Sequence, residues 1–418
     1  MAVDQSPATG RGGRGGLLLL GARLLGLPIS TLATIAIARW LGVHGFGLYA
    51  GATALAFFIN CFSFGGLDQI FLRGDLPGRL LARRLAEWGV LVTVVGAVIA
   101  AVYPGMSGEQ RGVAVILVAS VALTNLAAVS LLLPQRELRF SVRALRELSQ
   151  KVLAVVPVVL AALFLSPSLL TAGLATVAGS ACAVTLALFE ARKDVAAEEP
   201  DDRPGLSLAV GLRVGLPFSI ASAVFLLTRQ VPVLSLTALS DPESVAVLRA
   251  ATTIYAAVQL VPAAINNDLL RPRLYKSRDG WGKALRESLL MNLVVGGGIG
   301  LVMFVGAGPI VELLYGKGFS AAETPLRLLG LAVPLFCLAS WIDAYLAANR
   351  QNRQMVRRLL AALLVTVIAC LALADRGPSW IAGAMVLSEL VSVLTTVTLL
   401  GPLYRLVRGV DEVPREAR

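Results

Sequence analysis

The sequence predicts an all-α polytopic membrane protein, with twelve transmembrane helices in two pseudo-symmetric six-helix lobes. Three observations predict it. The first is composition: of 418 residues, 56% are hydrophobic and only 15% charged, whereas soluble domains average roughly 45–50% apolar and 25% charged. Mean hydropathy is +0.77. The second is a succession of apolar runs whose lengths approach the ~20 residues of a bilayer crossing. The third is a set of sequence matches between the two halves of the chain.

The apolar runs fall at 17–38, 46–66, 88–103, 113–134, 152–165, 169–189, 208–228, 245–266, 288–307, 326–346, 359–374 and 379–400. The first follows two arginines and exceeds the 7–15 apolar residues of a signal peptide, so it reads as a retained helix. The fifth is short, and the seventh can extend through Pro232 to Leu239. Charge alternation supports counting both. With the N-terminus inside, the inside segments carry 28 of the 37 Lys and Arg residues, and the outside loops carry four: Arg39, Arg111, Lys317 and Arg376. The other five, Arg23, Arg213, Arg229, Arg249 and Arg327, lie within or at the edges of spans. That asymmetry obeys the positive-inside rule and puts both termini in the cytoplasm. It also accounts for the net charge of +11 without a nucleic-acid partner.

Residues 190–207 hold nine charged residues in 18 and divide six runs from six. The predicted organisation is a cytoplasmic N-terminal tail (1–16), an N-lobe (17–189), a cytoplasmic linker (190–207), a C-lobe (208–400) and a cytoplasmic C-terminal tail (401–418). Gly21-Ala-Arg23 matches Gly211-Leu-Arg213, and another arginine follows 16 residues on in each half, Arg39 and Arg229. Gly-Leu-Pro recurs at 26–28 and 215–217, and Asp68 with Arg73 is mirrored by Asp268 with Arg273. Four matches in order indicate duplicated six-helix units.

Several chemistries are excluded. The four cysteines, Cys61, Cys182, Cys337 and Cys370, sit in apolar runs without paired spacing, and the sole histidine is His44. Neither a disulfide framework nor a zinc site follows. Gly316-Lys317-Gly318 lacks the earlier glycine and the Ser/Thr of a Walker A loop. No catalytic residue, metal site or bound cofactor is expected, and the chain is not read as an enzyme.

An arginine at a span centre costs about 2.5–3.5 kcal/mol on insertion scales, so it faces a cavity or a partner. Its planar fork suits oxyanions. Arg23 and Arg213 lie six and five residues past the inner ends of their spans, about 8–9 Å deep at 1.5 Å per residue. Snorkelling to headgroups is the plain alternative; their matched positions favour a symmetric anion-gripping pair. Arg39 and Arg229 lie about 160° further round an unkinked helix. Arg39 therefore reads as outer-interface structure, and Arg229 stays a third candidate because Pro232 can bend its helix. Glu389, midway along the last span, is either paired with an arginine or a coupling group for a proton or sodium gradient. Asp343 reads as interfacial. Asp68, Arg73, Asp268 and Arg273 are candidates for a cytoplasmic gate, with solvated charges as the alternative. Asn60, Asn125, Gln259 and Asn292 either line a polar path or bond between helices, and Gly296, Gly297, Gly298 and Gly300 read as helix-packing residues.

The segment Ala38-Arg39-Trp40-Leu41-Gly42-Val43-His44-Gly45-Phe46-Gly47-Leu48-Tyr49 resembles the A-R-x-L-G-x-x-x-[FY]-G-x-Y signature of polysaccharide flippases. These belong to the multidrug/oligosaccharidyl-lipid/polysaccharide (MOP) exporter superfamily and include the O-antigen flippases. Gly66-Leu67-Asp68-Gln69 with Arg73 is similar to that family's G-L-D-Q-x-x-x-R, and residues 310–329 resemble a further family stretch. The chain departs from the pattern at Ala246-Val247-Leu248-Arg249 and at Arg229-Gln230-Val231-Pro232.

The resemblance implies a two-lobed, V-shaped, MATE/MOP-like bundle in a bacterial inner membrane. By alternating access it would flip a lipid-linked, polyprenyl-pyrophosphate oligosaccharide to the outer leaflet for cell-surface polysaccharide biosynthesis, lipopolysaccharide included. Arg23, Arg213 and Arg229 would be the substrate-binding residues, and a polysaccharide polymerase or glycosyltransferases the partners. A MATE-type cation-coupled exporter is the nearer alternative. A membrane glycosyltransferase or ligase is the farther one, because the longest outer connection, 308–325, offers only Glu312, Lys317 and Glu323.

Overall fold

The computed structural model describes residues 11–62, 67, 71, 78–137, 139–197, 208–270, 274, 281–349 and 351–396. Its first helical run, Arg11–Asn60, breaks at Gly42, giving α1 (11–41) and α2 (43–60). Gly42 has φ 69° and ψ −179°, a backbone region essentially closed to residues with a Cβ. The N-lobe continues with α3 (Gly78–Val102), α4 (Gly108–Arg136), α5 (Phe140–Phe164) and α6 (Leu169–Ala197). The C-lobe holds α7 (Leu208–Leu239), α8 (Pro242–Ala264), α9 (Trp281–Val305), α10 (Glu323–Ala348), α11 (Asn352–Leu373) and α12 (Pro378–Leu394). A short helix, Ala307–Tyr315, joins α9 to α10 through a 3-10 turn. Among the described residues there is no strand.

Among the described residues these helices form the twelve-helix, two-lobed bundle that the apolar pattern predicts. Nine helical stretches among the described residues are long and apolar enough to cross a membrane, Ile29–Asn60 being counted there as one, and Ala223–Leu239 and Pro378–Leu394 are shorter apolar helices. The side of α3 that carries Val90, Val94, Val98 and Val102 is exposed, as a lipid-facing surface requires.

Three helices differ from their apolar runs. α5 is a full 25 residues; its run is short because Arg146, Glu147 and Lys151 interrupt the hydropathy. Those charges are matched inside the protein: Lys151 pairs with Glu147 at 3.1 Å, and Arg146 with Glu190 at 3.7 Å. α7 does run on through Pro232 to Leu239. α11 begins at Asn352, seven residues before its run, and takes Arg358 into the bundle.

The turns between successive helices converge at one end. Arg39, beside the α1–α2 corner, reaches the carbonyls of Leu313 and Leu314, and the Trp40 indole donates to Leu165 O. Gln110 donates to Leu48 O and Tyr103 to Leu234 O. Every turn predicted to lie outside from 39 through 325 thus meets another there, as an alternating chain requires.

This end is also where the lobes close on each other. Phe46 packs against Phe319 and Tyr315, with ring centroids 5.9 and 6.5 Å away. At Gly47 a Cβ would lie 1.7 Å from the carbonyl oxygen of Pro242. Within the N-lobe, Tyr49 shares a hydrogen bond with Thr176 of α6 at 2.8 Å, which fixes α2 behind the seam. The Ala38–Tyr49 signature is thereby given a physical meaning: it builds the seam between the lobes at the Gly42 end.

Within the C-lobe, Gly296 lies against Cys337 and Gly300 against the Gly330 carbonyl, so the glycine-rich stretch packs α9 on α10. Asn292 exchanges hydrogen bonds with Asn266 at 2.9 and 3.1 Å. It bonds between helices and does not line a path.

Candidate functional site

Beyond the closed seam the lobes part around a cavity of about 590 Å³. The N-lobe contributes Ser30, Thr31 and Thr34 of α1 with Phe57 of α2; most of the remaining wall comes from α7 and α8, with Phe336 of α10 and Met385 of α12. Two arginines, Arg229 of α7 and Arg249 of α8, line it, and among the described residues no carboxylate does. The volume falls in the roughly 300–1,000 Å³ range of ligand sites.

Arg229 is held by a neutral set of neighbours. Its guanidinium donates to the Gln259 side-chain carbonyl and sits over two rings, 4.5 Å from the Phe225 centroid and 5.3 Å from that of Phe336. Cation–π contacts stabilise a cation without neutralising it. Arg249, on α8, lines the same cavity. The Thr252 and Thr253 hydroxyls donate back to the Arg249 carbonyl at 3.1 and 2.8 Å.

Behind Arg229 lies a pocket of about 50 Å³, whose lining includes Arg229, Asp343, Arg358, Ser388, Glu389 and Ser392. Glu389 accepts a hydrogen bond from the Tyr255 hydroxyl at 3.4 Å, and it lines this pocket together with Arg229. Arg358 is bound by the Asp343 carboxylate and the Ser392 hydroxyl. Phe225, Arg229 and Phe336 line both spaces, so the pocket and the cavity share a wall.

The sequence-derived candidates fall as follows. Arg229 and Glu389 are brought to neighbouring spaces. Arg23 and Arg213 occupy helical positions on α1 and α7, and Asp268 one on the π-helical turn Ile265–Leu270, but their side chains lie outside the described residues. Asp68, Arg73 and Arg273 also lie outside the described residues. Among the described residues no cluster of three or more His, Cys, Asp or Glu side chains could hold a metal ion.

Two groups escape sequence reasoning. Arg249 is visible as a charge within a span, but it lacks a partner in the internal repeat and so receives no role. Arg358 reads as part of an inside loop, because Arg353 and Arg357 precede it closely; the structure buries it. Asp343, expected at the interface, is its ion-pair partner.

A two-lobed helical bundle around a cationic cavity defines the fold class, that of a polytopic helical membrane protein. The solved structures agree. The chain superposes on "Lipid II flippase MurJ, inward closed conformation" with a TM-score of 0.70 at 15% identity, covering 94% of this chain and 90% of that one. It superposes on an inward-facing multidrug resistance MATE family transporter of the MOP superfamily with a TM-score of 0.61 at 15% identity, over 95% and 100% of the two chains. A mutant form of the Vibrio cholerae MATE transporter VcmN gives 0.62 at 10% identity, over 95% and 96%. No curated protein matches in sequence. The family described as "Polysaccharide biosynthesis protein" matches residues 13–278, and the chain belongs to that family.

Proposed function

We propose that the chain flips a lipid-linked oligosaccharide, with a polyprenyl-pyrophosphate carrier, from the cytoplasmic to the outer leaflet of a bacterial inner membrane for cell-surface polysaccharide assembly. The observation that carries this reading is the charge of the cavity: Arg229 and Arg249 line it and, among the described residues, no carboxylate does. Guanidinium groups grip phosphate oxygens through paired, charge-assisted hydrogen bonds, whereas a cationic drug would be repelled by the same wall. The hydroxyls of Ser30, Thr31 and Thr34 suit a sugar.

The charge alternation of the loops puts both termini in the cytoplasm and the Gly42 end outside. On that orientation the cavity is closed from the outside, ready to take cargo from the cytoplasmic leaflet. Alternating access then requires the seam at Phe46 and Gly47 to open while the cytoplasmic ends close, with Asp68, Arg73, Asp268 and Arg273 as gate candidates. Arg23 and Arg213 would meet the phosphates at the mouth. Glu389 is the coupling candidate for a proton or sodium gradient, and a polysaccharide polymerase or glycosyltransferases are the expected partners.

The test is flipping of a fluorescent short-chain polyprenyl-diphosphate sugar in proteoliposomes. Arg249→Ala and Arg229→Ala should each reduce the rate at least tenfold with protein incorporation unchanged. Wild-type rates in both variants would overturn the reading.

A further inference from the structure

Arg229 stands in the wall between two spaces of different chemistry, and this placement implies a link between them. On one side is the carboxylate-free cavity; on the other is the pocket that holds Glu389. The charged and titratable groups that act on Glu389 come from every element packed around it. They are Arg229 of α7, Tyr255 of α8, Asp343 and Cys337 of α10, and Arg358 of α11. Of the two cations, Arg358 is engaged by Asp343 and Ser392. Among the described residues, Arg229 is held by an amide oxygen and two aromatic rings, groups that a bound phosphate can outcompete. Gln259, which holds Arg229, and Tyr255, which donates to Glu389, stand one turn apart on α8.

We infer that anion binding in the cavity and protonation of Glu389 are one linked event, with the Arg229 side chain as the link. In the empty protein the Arg229 charge serves the Glu389 carboxylate across the pocket. A diphosphate headgroup entering the cavity draws the guanidinium toward its oxygens, and Glu389 loses that counter-charge. One proton from water then forms an O–H bond at the Glu389 carboxyl, leaving the pocket balanced by Asp343 and Arg358. By reciprocity, protonating Glu389 frees Arg229 and tightens anion binding by the same factor. Loading therefore improves as pH falls.

This inference rests on the anionic-cargo reading above, and the experiment separates the two. Farnesyl diphosphate is titrated into the purified full-length protein in detergent, by calorimetry, in pairs of buffers that differ in ionisation enthalpy. Wild type should take up about one proton per ligand bound. Its affinity should fall by up to about tenfold per pH unit once Glu389 is ionised, and exchanging sodium for potassium should change nothing. Glu389→Gln should flatten the pH dependence and lose the proton uptake, while the probe's own ionisation contributes equally to both proteins. Binding by wild type without buffer-dependent heat overturns the inference alone and needs no variant to fold; so does equal uptake in Glu389→Gln, or affinity that depends on sodium. Failure of wild type to bind the diphosphate overturns the anionic-cargo reading and, with it, the inference.

Discussion

Arg358 and Asp343 form an ion pair within the C-lobe, their side chains 4% and 23% exposed, and the Ser392 hydroxyl completes the hold on the guanidinium. Three helices, α10, α11 and α12, are pinned at this point. The Ser388 hydroxyl extends the seam by donating to Ala362 O at 3.0 Å.

Removing the carboxylate leaves a buried cation uncompensated, which costs about 3–5 kcal/mol. Asp343→Ala should therefore lower the thermal midpoint of the detergent-solubilised protein sharply. The double variant Asp343→Leu/Arg358→Met should be milder than either single change, since it removes both charges; thermal unfolding monitored by circular dichroism checks the order.

The seam at the Gly42 end should respond to single hydrogen bonds. Arg39 donates to Leu314 O at 2.8 Å and Leu313 O at 2.5 Å, covering carbonyls that the end of the short helix leaves without partners. Arg39→Ala should weaken closure by about 1–2 kcal/mol, a roughly 5–30-fold shift toward the opened seam. In a cysteine-free background carrying Thr34→Cys in the cavity, labelling by an impermeant thiol reagent from outside should accelerate accordingly. An unchanged rate would mean that Arg39 does not hold the seam.

Two glycines make a contrasting pair. Gly47→Ala would put a methyl group 1.7 Å from the Pro242 carbonyl oxygen, so α2 and α8 must separate; transport and stability should both fall. Gly89→Ala meets nothing within 4 Å in the middle of α3 and should be neutral or stabilising by about 0.4–1 kcal/mol. Melting of the two variants under one set of conditions checks the difference.

Asp241 caps the first turn of α8, accepting from the Ser244 backbone N–H and hydroxyl, both at 2.8 Å. Partial burial pushes its carboxyl up, but the hydrogen bonds outweigh that and hold it below the ordinary carboxylate value. The stabilisation is therefore present above the unfolded value near 3.9 and is lost as pH falls through the lower folded value. Asp241→Ala should cost about 1 kcal/mol at neutral pH, and the gap from wild type should close below about pH 4. Paired melts across pH 3–7 measure it.

Hydropathy and charge alternation made the bundle legible because lipid and the positive-inside bias act on composition, which needs no three-dimensional partner. Legibility failed where charges are matched inside the protein. Lys151 with Glu147 shortens the apparent fifth span, and Arg358 reads as a loop residue until Asp343, 15 positions earlier, is seen beside it. The sequence singled out Arg229, at the end of its apolar run, and Glu389, midway along the last, and the structure places both around one pocket. The placement of Arg249 was not legible, because only the meeting of α8 with α1 and α7 shows which space it lines.

The approach at Gly47 is backbone against backbone: a helix surface without a side chain meets the Pro242 carbonyl. Its fit is set by how two helix axes cross, so chains that carry the same twelve-residue signature can shut alike while holding quite different passengers. Such a motif identifies a way of closing, and the passenger has to be read from the chamber behind it.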